Sequence, residues 1–276
     1  MIKLTCELSS TPVAADYARD ASTLLRCERH VHEFDASLYR PETIERARAM
    51  WSFRMEAEHR STSVFAALCG QIMEAGAPLD MQGAVLRMAL DELRHAEVCA
   101  EVVRALGGKV EREVANPTAA LARHAGSSAH ERAARNVIYG ACMSETVNCA
   151  RFVQALETTT DPLIRDVTRQ LLSDEAKHSQ FGFHYLESVQ GWLDDEKDAR
   201  RRLSVYLRFA FASLERDMSA RDMAQRQLQA DERAIGLPDA LTQREIFYTT
   251  VEAAIIPGLE RFGLSASEAW KARALE

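Results

Sequence analysis

Two stretches of this chain repeat one phrase: Asp91-Glu92-Leu93-Arg94-His95 and Asp174-Glu175-Ala176-Lys177-His178 both read Asp-Glu-x-basic-His. A Glu and a His three positions apart lie on the same face of an α-helix, one turn apart. Two such helices facing each other aim two carboxylates and two imidazoles at one point. One further Glu from each of two other helices would complete a carboxylate-bridged di-metal site of the kind built inside four-helix bundles. The repeat therefore demands two more helices, each with one inward Glu.

The sequence supplies both. Pro41 opens a helix where proline is tolerated, with Glu42 and Glu45 in its first turn. Its apolar seam runs Trp51, Met55, Glu58, Thr62, Phe65, Cys69, Ile72, in steps of four and three, and Gly76-Ala-Pro78 ends it. Glu58 interrupts that seam, and a buried lone carboxylate is costly unless it is paired or bound to metal. The next helix, for which Asp80 is the expected cap, carries Val85, Met88, Glu92, His95, Cys99, Val102 and Leu106 and stops at Gly107-Gly108. Residues 109–128 are polar and broken by Asn116-Pro117 and Gly126-Ser-Ser. At about 3.3 Å per extended residue they can run back along a helix as a long crossover. A third helix is expected from Ser128, with Glu131 as its capping-box partner and a seam of Ile138, Cys142, Glu145, Cys149, Phe152, Leu156. Asp161-Pro162 opens a fourth, with Ile164, Leu171, Glu175, His178, Gly182, Tyr185 and Val189, closed by Gly191. Helix with Glu, then helix with Glu-x-x-His, occurs twice, and the spacings from Glu58 to Glu92 (34) and from Glu145 to Glu175 (30) are similar. The pattern reads as an internal duplication.

The candidate set is Glu58, Glu92, His95, Glu145, Glu175 and His178. Four carboxylates in one core repel and take up protons, whereas two divalent ions bring +4 against −4. Oxygen and imidazole ligands at an open site suit iron or manganese better than zinc. Asp91 and Asp174 are placed to accept the free ring N–H of a ligating His, or to pair with Arg94 or Lys177. Glu56-Ala-Glu-His59 is a decoy: Glu56 and His59 fall off the seam beside Arg60 and Ser63, and Glu58 holds the inward position.

Composition excludes several classes. A net charge of −7, with basic residues interleaved among acids, argues against a nucleic-acid partner. No stretch approaches a membrane span, and the first residues lack the apolar core of a secretory signal. The six cysteines (Cys6, Cys27, Cys69, Cys99, Cys142, Cys149) contain no C-x-x-C pair, against a zinc knuckle or a rubredoxin-type centre and in keeping with a reducing cytoplasm. The expected organisation is an N-terminal helical extension over 1–40, the bundle over 41–192, and helices packed on it over 193–276. A weak helical pattern covers 14–34, with His30 and His32 expected at the surface, as are His124 and His130 in and after the crossover. Residues 199–218 and 241–256 read as amphipathic helices, the second ending at Pro257-Gly258.

The order Glu … E-x-x-H … Glu … E-x-x-H over roughly 41–190 resembles the ferritin-like di-iron carboxylate superfamily. That resemblance implies an all-α four-helix bundle with its crossover between helices 2 and 3. It also implies a di-iron centre (Fe/Fe, with Mn/Fe open) on Glu58, Glu92, His95, Glu145, Glu175 and His178 that reacts with dioxygen or peroxide. Iron-storage ferritins lack the second E-x-x-H, and typical rubrerythrins carry the absent C-x-x-C domain. Ribonucleotide reductase small subunits have a radical Tyr where this chain has Cys99. The arylamine N-oxygenases have a further His where it has Leu171. Thr62, Phe65, Cys99, Cys142, Cys149, Phe152 and Gly182 flank the six and are expected to line a substrate pocket, with ordinary core packing as the alternative. The first expectation is an O2-dependent oxidase or oxygenase of a small organic substrate, re-reduced by an external reductase or ferredoxin and compatible with a homodimer. The second is a peroxide-reducing or iron-handling bundle, and the third a non-catalytic helical module.

Overall fold

Arg40 is extended and Pro41 starts α1 (Pro41–Glu74), because the first helical positions have no N–H partner to lose. The structure, a computed structural model, describes residues 1–4, 6, 32–219 and 227–273. Helix α1 pairs along its length with α2 (Leu79–Ala105). Asp80 lies in the first turn of α2 but does not cap it; Pro78 holds the cap position without a side-chain bond. At the other end Gly107 adopts φ 71°, and the Gly107 and Gly108 amides close on the carbonyls of Arg104 and Val103. That left-handed stop is the one expected of glycine.

The crossover between α2 and the third helix contains a feature not expected from the sequence. Strand β1 (Ile2–Leu4) pairs antiparallel with β2 (Arg112–Val114), Ile2 opposite Val114 and Leu4 opposite Arg112. Ser128 caps α3 (Ala129–Val137) by accepting from the Glu131 amide. The Glu131 carboxylate does not complete a capping box; it pairs with Arg135 and, at 3.0 Å, with Arg202. The helix continues as a π segment (Ile138–Glu145) and then α4 (Thr146–Thr158). Asp161 caps α5 (Pro162–Ser188) through the Ile164 amide at 3.0 Å.

Beyond the bundle lie α6 (Gln190–Asp195), α7 (Ala199–Ser219), α8 (Ala230–Ala234) and α9 (Ala240–Thr250). Leu203, Leu207, Phe211 and Leu214 of α7 are buried, as its amphipathic pattern requires. The last long helix does not stop at Pro257. It passes through a π segment (Val251–Ile255) into α10 (Ile256–Glu260), followed by α11 (Ala266–Lys271). A wider turn just before a proline accommodates the missing donor and the ring. His124 and His130 are half-buried: His124 lies 3.1 Å from Asn136 Oδ1 and edge-on to Tyr206, and His130 stacks on Trp192. His32 faces Asp166 at 3.4 Å with half its side chain exposed. Most of the helix expected over 14–34, with His30, lies outside the described residues.

The core divides in two. One apolar cluster holds Trp51, Met55, Val98, Cys99, Phe152 and Leu171; the other holds Phe65, Leu68, Met88, Ala89, Cys142 and Phe181. On α1 and α2, and on the π segment with α4 and α5, the sequence positions between these two clusters carry the Glu and His residues. The fold thus places one polar layer between two apolar ones.

Candidate metal centre

Each helix contributes to that layer at its middle. The donor atoms of Glu58, Glu92, His95 and Glu175 lie within 4.8 Å of one another, and so do those of Glu92, Glu145, Glu175 and His178. The structure therefore gathers all six residues singled out in the sequence. The two groups share Glu92 and Glu175, the carboxylates of the repeated phrase. Glu92, His95, Glu145, Glu175 and His178 are buried, and the Glu58 side chain is 12% exposed.

The imidazoles are oriented by a crossed pair of aspartates. His95 Nδ1 faces Glu58 at 3.7 Å and Glu175 at 3.6 Å, while its Nε2 faces Asp174 at 3.6 Å. His178 Nδ1 faces Glu92 at 3.3 Å and Glu175 at 3.2 Å, while its Nε2 faces Asp91 at 3.4 Å. Each phrase thus sends its Asp to the histidine of the other. An Nε2–H directed at a carboxylate leaves the Nδ1 lone pair aimed inward. Buried Arg94 donates to Asp174 Oδ2 at 3.0 Å and also pairs with Asp91, tying the two phrases together. Arg87 and Lys177 reach Asp91 and Asp174 from the surface, each at 2.8 Å.

As side chains alone, these groups strain against one another. Burial, helped by the Glu58 and Glu145 charges, pushes the Glu92 carboxyl up to about 8 against the pull of His178. Burial and then the Glu175 charge push Glu145 well above the usual carboxylate range. Burial opposes charge on His95, but Asp174 and Glu58 outweigh it and hold the ring well above its ordinary value. Burial likewise opposes charge on Asp174, which His95 and Lys177 nevertheless hold well below the usual range. Buried Glu92 Oε1 and inward-facing His95 Nδ1 have no hydrogen-bond partner, and His95 Nε2, 3.6 Å from Asp174, has none either. Unpartnered inward donors, four carboxylates and two imidazoles fit a pair of divalent cations, which would relieve the repulsion and satisfy both inward atoms.

The flanking residues are mostly close-packed. A Cβ on Gly182 would lie 2.7 Å from both Cys142 N and Sγ, so helix α5 meets the π segment with no space between. Phe65 packs against His178 with the rings tilted, 5.6 Å between centroids. Cys99 and Phe152 are buried; Thr62 and Cys149 are half-buried, and Thr62 Oγ1 has no hydrogen-bond partner. Burial pushes the Cys149 thiol up to about 12 and raises Cys99 and Cys142 as well, so all three are neutral thiols near pH 7. Glu56, the decoy, does not join the cluster; Arg112 of β2 donates to it at 2.5 Å.

Sequence reasoning missed the π segment that carries Glu145. Its signal is faint, a small-residue run (Gly140-Ala141-Cys142) facing Gly182. Wide helical turns of this kind recur at functional sites. Among the described residues no helix is long and apolar enough to cross a membrane.

Residues 52–186 match the family model described as Rubrerythrin. Among solved structures the chain superposes on a Synechococcus protein described as "Protein 19 with aldehyde deformylating oxidase activity". The TM-score is 0.57 and the identity 19%, over 83% of this chain and 95% of that one. At that identity the likeness is one of fold. A search of the curated proteins finds no match.

Proposed function

We infer that this chain is a ferritin-like di-iron carboxylate protein and an O2-dependent oxidase or oxygenase of a small organic substrate; the Rubrerythrin match over 52–186 and the shared fold support the reading. The observation that carries the reading is the pair of four-residue donor groups sharing Glu92 and Glu175. Glu58 and His95 would hold one iron, Glu145 and His178 the other, with Glu92 and Glu175 between them. When bound, iron supplies the redox change by which O2 is activated. The protein's own part is threefold. Asp91 and Asp174 fix the two rings, the apolar layers on either side exclude water, and Arg94 ties the two aspartates together. Two electrons per turnover would come from a reductase or ferredoxin. The Synechococcus protein's described activity is of the same broad kind.

The Rubrerythrin match favours a second reading, in which the same centre reduces peroxide without an organic substrate. One experiment separates them. The protein is loaded anaerobically with Fe(II), its iron content measured, and the reduced form mixed in stopped flow with O2 or with H2O2. The first reading predicts about two irons per chain and a fast optical change with O2, accelerated by an organic substrate. A fast reaction with H2O2 alone, indifferent to any organic addition, supports the second and sinks the first.

A further inference from the structure

Arg54 lies one turn before Glu58 on α1, yet it makes neither an ion pair nor a hydrogen bond among the described residues. Its guanidinium carbon sits 4.5 Å from the ring centroid of Phe152, on α4, and 5.1 Å from that of Trp51. It is half-buried and close enough to Glu58 and Cys99 for its charge to lower the pKa of both. Trp51 is 1% exposed, and its indole Nε1–H is a buried donor with no partner. A guanidinium held on two aromatic faces keeps all its in-plane donors available. Buried donors left unsatisfied are costly, so an unpartnered indole N–H beside an unpartnered cation points to a missing acceptor.

We propose that Arg54, assisted by Trp51, binds the acid group of an organic carboxylate presented to the metal centre. This rests on the oxidase reading above. A planar, bidentate acceptor is what a free guanidinium fork recognises best. The position also sets a length. Arg54 is four residues from Glu58 and Phe152 is seven from Glu145, roughly 6 and 10 Å along their helices. The acid group would therefore sit within about two helical turns of the donor layer, on the scale of a small aromatic or aliphatic acid.

The test uses full-length protein loaded with Mn(II), and calorimetric titration with benzoate, octanoate, adipate and their neutral amides. The wild type is expected to bind at least one acid about tenfold or more tightly than its amide, the usual scale for a hydrogen-bonded charge. Arg54→Met should erase that preference at unchanged metal content, Arg54→Lys should restore part of it, and Trp51→Phe should weaken it several-fold. If no acid is preferred by the wild type, or if the preference survives in Arg54→Met, the proposal is overturned; the latter result would place the anion on the metals. Failure of the oxidase reading looks different: acids still bind through Arg54, but O2 consumption is unaffected by any of them.

Discussion

The two halves of the bundle carry the same donors on different frames. In the first half Glu58 stands on a regular α-helix, and His95 holds its carboxyl below the usual range despite burial. In the second half Glu145 ends a π segment pressed against Gly182, and burial with the Glu175 charge drives its carboxyl up. The basic residues differ too. Arg94 is buried and bridges both aspartates, whereas Lys177 is 64% exposed and reaches only Asp174. Both hairpins keep a Glu and an Asp-Glu-x-basic-His. The supporting backbone and charge differ.

The largest expected effect tests what the halves share. Glu92→Ala or Glu175→Ala removes a donor common to both groups and should abolish metal uptake, whereas Glu56→Ala should leave it intact; metal analysis reads both. Arg94→Met leaves two buried aspartates without their common partner. It should destabilise the metal-free protein by about 3–5 kcal/mol in urea unfolding.

Proton competition comes next. Glu92 titrates near 8 in the metal-free cluster, so below that pH its proton must leave before a cation binds. Affinity should therefore rise by at least about tenfold per pH unit between pH 6 and 8, and more steeply because Glu145 and His95 are also held protonated, with proton release visible by titration in buffers of different ionisation enthalpy. A flat profile would remove Glu92 from the site. Asp174→Asn keeps the shape but weakens the hold on His95, and should cost about 10–100-fold in metal affinity. The smallest effect distinguishes the two basic residues: Lys177→Met should change stability by less than about 1 kcal/mol, as exposed pairs do. Equal losses from Arg94→Met and Lys177→Met would erase the difference between the halves.

The seams were legible because helical periodicity is local: Glu58 rather than Glu56, and both Glu-His pairs, follow from spacing alone. So do Pro41, Ser128 and Asp161 as helix starts. What escaped was set by contacts between distant residues. Pairing of β1 with β2 joins segments about 110 positions apart, and nothing within either announces it. The π segment lies where α5 approaches at Gly182, and the small residues Ala141 and Cys142 that meet it do not by themselves announce a wide turn. The crossing of Asp91 to His178 and Asp174 to His95 likewise requires knowing how the two helices face each other. Asp80 misled because a good capping residue two positions too late is simply a first-turn acid.

The proposed oxidase stands on the polar layer between the two cores being a two-cation site. Anomalous diffraction at the iron absorption edge, from crystals grown with Fe(II) under anaerobic conditions, tests it most directly. Two peaks are predicted, one beside Glu58 and His95 and the other beside Glu145 and His178, with Glu92 and Glu175 touching both. Peaks elsewhere, or Glu58 and Glu145 turned to solvent in a metal-loaded crystal, would contradict it.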